Sequence, residues 1–326
     1  MRGAGEDGRL VFVSRHLPGD ALDRLAKGAE VDLWEDDLPP PRAALLERTR
    51  GADGLVVMST ERVDAELLDA CERLRVVATV SVGYDHVDVP ELTARGIPFG
   101  NTPGVLTNAT ADITWALILA VARRVVEARD AVLEGKWVSW DPVFMLGKEL
   151  AGAVIGIVGV GRIGEAVARR AAGFDMHVLG WSRSRREVPG VETVALDELL
   201  ARSDVVSVNA ALTAETHHLI GARELSLMKP DAILVNTARG PIVDQAALAE
   251  ALGAHRIGGA GLDVTEVEPI PLDDPLLTLD NCVVLPHIGS ATLVTRSRMA
   301  RLAVDNVLAG LAGERLPNCV NPDVYA

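Results

Sequence analysis

The chain has 326 residues, 48% of them hydrophobic but only 3% aromatic, and carries a formal net charge of −14. That length suits two domains with aliphatic cores, and that charge argues against non-specific binding to nucleic acid or to anionic membranes. Cys71, Cys282 and Cys319 are scattered and form no CxxC or Cys/His cluster. Neither a disulfide framework nor a metal site is therefore expected, and a reducing cytoplasm is the expected location. The first ten residues lack the apolar run of a signal peptide, and the most apolar stretch, 113–122, is too short to cross a bilayer.

In chain order, the first hundred residues alternate short apolar runs (9–13, 31–34, 53–58, 75–80) with helical patterns near 19–27, 41–50 and 64–73. This βα alternation predicts a parallel sheet. A long helical stretch follows, from about 107 to 134. Six further runs, at 153–159, 176–181, 204–208, 232–236, 258–264 and 281–286, predict a second, doubly wound sheet. A last helix, about 291–312, finds its natural place back on the first domain, which that return makes discontinuous.

The stretch IVGVGRIG carries Gly159, Gly161 and Gly164 at GxGxxG spacing, with an apolar strand before it and a helical pattern after it. In that context the first glycine allows a tight turn, the second a close approach to pyrophosphate, and the third close helix–strand packing. The helix N-terminus, with Arg162 and Ile163, adds positive potential for phosphates. The next strand ends in SRSRR, with Ser182, Arg183, Arg185 and Arg186 and no carboxylate before Glu187. An NAD site usually has an acid there for the ribose hydroxyls. A hydroxyl and several guanidiniums suit a 2′-phosphate instead. NADP(H) is therefore the expected cofactor, with NAD(H) still possible.

In open parallel sheets, ligands bind beyond the carboxyl ends of the strands. Three such ends present Arg239, then Asp263 followed by Glu268, then His287 in LPHIGSAT. Each alone reads as an ordinary surface residue. Together they can reduce a 2-oxo acid. Arg239 would hold the carboxylate and polarise the ketone, and His287 would give the proton. Glu268 would orient the imidazole and favour its charged form.

The stretches SVGYDHVD, GIPFGNTPGVLTNATAD, GIVGVGRIG, LVNTARGPIVDQAAL, AGLDVTEVEP and NCVVLPHIGSAT, spread over nearly the whole chain, resemble the D-isomer-specific 2-hydroxyacid dehydrogenases. GKWVSWDP and DPLLTLDNCVVLPHIGSAT are most similar to the glyoxylate/hydroxypyruvate reductases among them. The resemblance implies a Rossmann cofactor domain, 105–291, and a flavodoxin-like substrate domain, 1–104 with 292–326. It implies NADPH-preferring reduction of glyoxylate and hydroxypyruvate, with Arg239, Glu268 and His287 as catalytic residues. The backbone amides of Val82 and Gly83 would hold the substrate carboxylate, with Ser290 on the substrate side. Asp263 would meet the nicotinamide amide, and Thr237, Gly289 and Ala211 would line the cofactor cleft. A homodimer is implied, with 112–150 as its arm and Trp140 entering the partner's active site. Two departures stand out. NAALTAET lacks the histidine and proline often found there, and MSTERV (58–63) is more polar than the expected lid loop. Another D-2-hydroxy acid, such as phosphoglycerate or 2-ketogluconate, and a corepressor-like dinucleotide sensor stay open as alternatives.

Overall fold

The computed structural model describes residues 8–183 and 187–326. One α/β unit takes the chain up to Leu106 together with Ser290–Ala326, and the other takes Thr107–Gly289.

In the first unit, β1 (Leu10–Val13), β2 (Glu30–Leu33), β3 (Gly54–Val57), β4 (Val76–Thr79) and β5 (Phe99–Gly100) alternate with α1 (Ala21–Leu25), α2 (Arg42–Thr49), α3 (Ala65–Ala70) and α4 (Val89–Ala94). All pairings are parallel, in the order β2-β1-β3-β4-β5, which is the flavodoxin-like order. Val11, Phe12, Val13, Leu55, Val56, Val57, Val76 and Val77 are fully buried, as continuous apolar strands covered on both faces must be. Asp64 and Asp88 start α3 and α4 by accepting the amides of Leu67 and Glu91. The sequence pattern predicts only four strands here. β5 has two residues, too few for a periodicity, and a distant side chain holds it: the Phe99 amide donates to Asn321 Oδ1 at 2.7 Å.

The second unit opens with α5 (Thr107–Ala122) and α6 (Val125–Leu133). The long helical stretch is thus broken, at Arg124, whose φ of 53° is left-handed and which bonds Glu127 twice at 2.9 Å. Thr114, Trp115, Leu117 and Ile118 of α5 are buried in the core, whereas Val125, Val132, Leu133 and residues further on are exposed. Residues 112–122 of the expected arm therefore cover the sheet, and the exposed apolar stretch begins after them. Then come β6 (Val154–Val158), α7 (Arg162–Ala171), β7 (His177–Trp181), β8 (Glu192–Thr193), α8 (Leu196–Arg202), β9 (Val205–Val208), α9 (Ala222–Leu227), β10 (Ile233–Asn236), α10 (Gln245–Gly253), β11 (Gly259–Leu262) and β12 (Cys282–Val284).

These seven strands are parallel, in the order β12-β11-β10-β9-β6-β7-β8. The order reverses between β6 and β9, the topological switch point of a Rossmann sheet. β8 is a seventh strand where six are predicted. It is an exposed Glu-Thr pair at the edge beside β7. The chain then returns to the first unit as α11 (Leu293–Ala312), whose Met299, Ala300, Ala303, Val304, Val307 and Leu311 are buried, all but Met299 in one face of that unit's core. The first unit is thus discontinuous. Among the described residues, no helix is long and apolar enough to cross a membrane.

Candidate active site

The turn from β6 into α7 needs its glycines for different reasons. Gly159 has φ +100°, and a Cβ there would lie 2.5 Å from the Ala210 amide nitrogen. A Cβ on Gly164 would lie 2.3 Å from the Gly159 carbonyl, so helix and turn touch backbone to backbone. Beside Gly161 nothing comes within 4 Å, which leaves open the side from which a pyrophosphate would approach the helix N-terminus. Arg162 is exposed there and Ile163 is half-buried. At the adjoining end of β9, Asn209 Oδ1 is buried without a hydrogen-bond partner, while its Nδ2 is held by Ser207. An open glycine cradle with an unsatisfied acceptor beside it fits a dinucleotide. Sequence reasoning missed Asn209, since NAALTAET drew attention only to what it lacks.

At the end of β7, Arg183 pairs loosely with Glu215 at 3.7 Å, both exposed, and Ser182 precedes it. Arg185 and Arg186, the other expected phosphate ligands, lie outside the described residues. Ala211 is exposed, and its carbonyl accepts from Thr216 Oγ1 at 2.7 Å.

The three strand ends do bring acid, base and cation residues onto one edge of the second unit. Beyond β12, His287 takes φ 53°, and its amide donates to the Asp263 carbonyl at 3.0 Å. The Asp263 side chain then accepts the Ile288 and Gly289 amides, one on each oxygen, both at 2.7 Å. It is 1% exposed, and this burial pushes its carboxyl up, against the two amides. Each oxygen still keeps a second lone pair. The first job of Asp263 is thus to shape the loop that carries His287.

Glu268 Oε2 lies 2.7 Å from His287 Nδ1, and Oε1 accepts the Thr265 amide at 3.2 Å. Partial burial works against the charged form of Glu268. The hydrogen bond and charge of His287, the Thr265 amide and the charge of Arg239 outweigh it and hold the carboxyl below its usual range. With Nδ1 engaged, Nε2 is the ring atom that can exchange a proton. Arg239 is half-buried on a bend made by the preceding strand's last side chain. Asn236 Oδ1 accepts the Ala238 amide at 3.0 Å, and its Nδ2 donates to the Arg239 carbonyl at 2.8 Å. Thr237 Oγ1 lies 2.8 Å from Thr114 Oγ1.

In the first unit, the loop after β4 is fastened by Ser81 Oγ to the Gly83 carbonyl at 2.6 Å and by Asn101 Nδ2 to the Val82 carbonyl at 2.8 Å. Among the described residues, neither the Val82 nor the Gly83 amide donates a hydrogen bond. The polar loop after β3 turns its acid inward. Glu61 is 3% exposed and accepts from Ser14 Oγ, the Met58 amide and Thr60 Oγ1. Its place in a polar run disguised it as a surface residue. Ser290 is half-buried, and its carbonyl accepts the Thr292 amide just before α11. In the second unit, Trp140 is 81% exposed and Trp137 60%.

Among the described residues, one group, His218, Asp244 and Glu266, could hold a metal ion. His218 Nε2 stands 2.8 Å from Glu266 Oε1. Two ligands of one tetrahedral ion, each about 2.0–2.2 Å from it, would stand roughly 3.3 Å apart, so this contact is a hydrogen bond.

Comparison with known proteins agrees with this geometry. Residues 115–289 match the family described as D-isomer specific 2-hydroxyacid dehydrogenase, NAD binding domain. The glyoxylate reductase of Korarchaeum cryptofilum is 52% identical over 319 residues, covering 96% of each chain. A crystal structure of a Thermus thermophilus protein superposes with a TM-score of 0.92 at 51% identity, covering 95% of this chain and 99% of that one. The NADPH-dependent glyoxylate/hydroxypyruvate reductase of Sinorhizobium meliloti, solved with NADP and malonate, gives 0.86 at 34% identity over 96% of each chain. A nicotinamide dinucleotide loop followed by a histidine–carboxylate pair is thus matched by similarity over almost the full length, and the chain belongs to the D-isomer specific 2-hydroxyacid dehydrogenases, a family of oxidoreductases.

Proposed function

We propose that the chain reduces small 2-oxo acids, glyoxylate and hydroxypyruvate, to glycolate and D-glycerate, with NADPH preferred to NADH. The observation that carries this reading is the 2.7 Å contact of His287 with Glu268, set beside the Arg239 charge at the strand ends that follow a dinucleotide loop. The relatives named glyoxylate reductase support the substrate class. The absence of an acid at Ser182 and Arg183 supports the cofactor preference.

A reduced nicotinamide, when bound, supplies the hydride. Gly159, Gly161 and Gly164 admit its pyrophosphate to the α7 N-terminus, and Arg183 with Ser182 meets the 2′-phosphate. The Arg239 guanidinium grips the substrate carboxylate and draws electron density from the ketone. Val82, Gly83 and Ser290, in the first unit, are assigned to substrate binding. His287 Nε2 delivers a proton to the carbonyl oxygen as it gains charge. Glu268 holds Nδ1, so the ring stays aimed and its positive charge is balanced. In oxidation the same nitrogen takes the proton back. The exposed apolar residues from Val125 to Leu146, Trp137 and Trp140 among them, suit burial against a second copy of the chain. Trp140 then reaches the partner's active site.

Initial rates with glyoxylate, hydroxypyruvate, phosphohydroxypyruvate and 2-ketogluconate, each with NADPH and NADH, test the reading. The expected result is highest kcat/KM for the first two acids with NADPH. Negligible turnover of every acid overturns the enzyme assignment, and equal efficiency with both nucleotides overturns the cofactor preference.

A further inference from the structure

We propose that His218 is a positioning residue for reduction: it ties the loop bearing Arg239 to the turn bearing Glu268. This rests on the roles just given to those two residues. The backbone amide of His218 donates to the Pro241 carbonyl at 2.8 Å, two residues beyond Arg239. Two positions on, Ile220 donates to Ile242 at 3.1 Å and accepts from Asp244 at 3.0 Å. The chain around His218 is therefore stitched to the Arg239 loop by backbone alone. The imidazole then reaches sideways, with Nε2 2.8 Å from Glu266 Oε1 and Nδ1 3.8 Å from Asp244 Oδ2. Glu266 lies two residues before Glu268.

The turn that Glu266 occupies is tight. The Thr265 amide donates to Glu268 Oε1, and Thr265 Oγ1 donates to the Val267 carbonyl at 2.7 Å. A shift of Glu266 therefore moves the Glu268 carboxylate. Gln245, at the start of α10, grips the same residue twice, with its amide to Glu266 Oε1 at 3.1 Å and its Oε1 from the Glu266 amide at 2.9 Å. The two loops also touch directly, since a Cβ on Gly240 would lie 2.0 Å from the Thr265 carbonyl. His218 closes this ring. It is bonded by main chain to one catalytic loop and by side chain to the other.

The His218–Glu266 pair is well exposed, with 39% and 33% of the side chains accessible. Pairs this wet add little to global stability. The effect is therefore expected in kcat and not in the melting temperature, because small displacements of reacting groups cost rate steeply. The groups that face the imidazole are Glu266, Asp244 and the ring of His217, whose centroid is 4.1 Å away.

The test is a double-mutant cycle in the full-length enzyme, read by kcat and KM for glyoxylate with NADPH and by thermal melting. His218→Leu is expected to lower kcat about tenfold, less than the ~10²-fold that a 1 Å misplacement far from the chemistry can cost, with the KM for NADPH and the melting temperature little changed. His218→Gln, which keeps a donor for Glu266, is expected to recover most of the rate. In a Glu268→Gln background, His218→Leu is expected to cost less than about twofold, because the group it positions has lost its role. A His218→Leu kcat within twofold of the parent overturns the proposal. So does an undiminished loss in the Glu268→Gln background, or a loss that His218→Gln fails to recover. If Glu268→Gln alone leaves kcat unchanged, the role given to Glu268 fails, and that result is read separately from His218. Should His218→Leu not fold, Glu266→Ala, which removes the acceptor that the imidazole meets, carries the same expectations.

Discussion

Asp263 and Glu61 are both buried carboxylates at strand ends, one in each unit, and both hold the loop beyond. Their donors differ. Asp263 accepts two backbone amides, Ile288 and Gly289. Glu61 accepts one amide, Met58, and two hydroxyls, Ser14 and Thr60. A hydroxyl can turn round and accept where it used to donate, but an amide cannot. The second unit therefore fixes its loop with bonds that admit no substitute, and that loop carries His287. The first unit fixes its loop with one such bond and two adaptable ones, and that loop carries no residue proposed for acid–base work.

The sharpest way to break this comparison is to remove what the Asp263 loop carries. His287→Ala should lower kcat by about 10²–10⁴-fold, as expected for loss of a general acid, with NADPH binding by fluorescence titration largely kept. A rate near the parent's would make the loop inert and the contrast empty. Next in size is Asp263→Ala, which leaves two amides without acceptors. It should cost about 1–3 kcal/mol for each that stays buried and unsatisfied, measured by denaturant unfolding, and should lower kcat as well. No loss of stability would mean that water replaces the carboxylate freely.

A third test uses pH. Glu268 is depressed below its ordinary 4.5. Its stabilisation is present above that pH and is lost as pH falls through the lower folded value. Asp263 is raised above its ordinary 3.8 by burial. Its contribution is fully present below that pH and is lost as pH rises through the folded value. The stability gap between parent and Glu268→Gln should narrow on acidification below 4.5, whereas the gap for Asp263→Asn should widen. Two gaps moving in the same direction would show that the two carboxylates do not differ in this way. The smallest effect is expected from Glu61→Gln. The new amide can donate to Thr60 Oγ1, keeping all three bonds, so unfolding should change by less than about 1 kcal/mol. A loss as large as that of Asp263→Ala would erase the distinction between adaptable and inflexible donors.

What could be read in advance divides along the same line. The glycine turn, the three strand ends and the return of the last helix to the first sheet all follow from local patterns of apolar runs and turn residues. The two-residue strands β5 and β8 do not. Phe99 is held by Asn321 from 222 residues away, and β8 is a Glu-Thr pair at an open edge, without any apolar signal. Arg124 reads as part of a helix because a left-handed residue other than glycine leaves no mark in composition. Glu61, Asp263 and Asn209 are polar residues whose burial depends on groups brought together by folding. Asp263 is expected as a site residue, and its hold on the Ile288 and Gly289 amides was not legible. The Asn236 bend that sets Arg239 was equally hidden, because both of its bonds run to backbone atoms.

The return of α11 to the first sheet also sets an order of events during synthesis. The second unit is continuous, so all its strands are available once residue 289 has left the ribosome. The first unit has made its five strands long before that. One face of its core still lacks Ala300, Ala303, Val304 and Val307 of α11, and β5 still lacks the Asn321 acceptor. The part made first is therefore the part finished last, with an apolar sheet face waiting through the translation of 183 intervening residues, Thr107–Gly289. Exposed surface of that kind is what chaperones recognise and what drives aggregation. Ribosome-bound chains halted before α11 should show a protease-resistant second unit beside a first unit that is still cleaved.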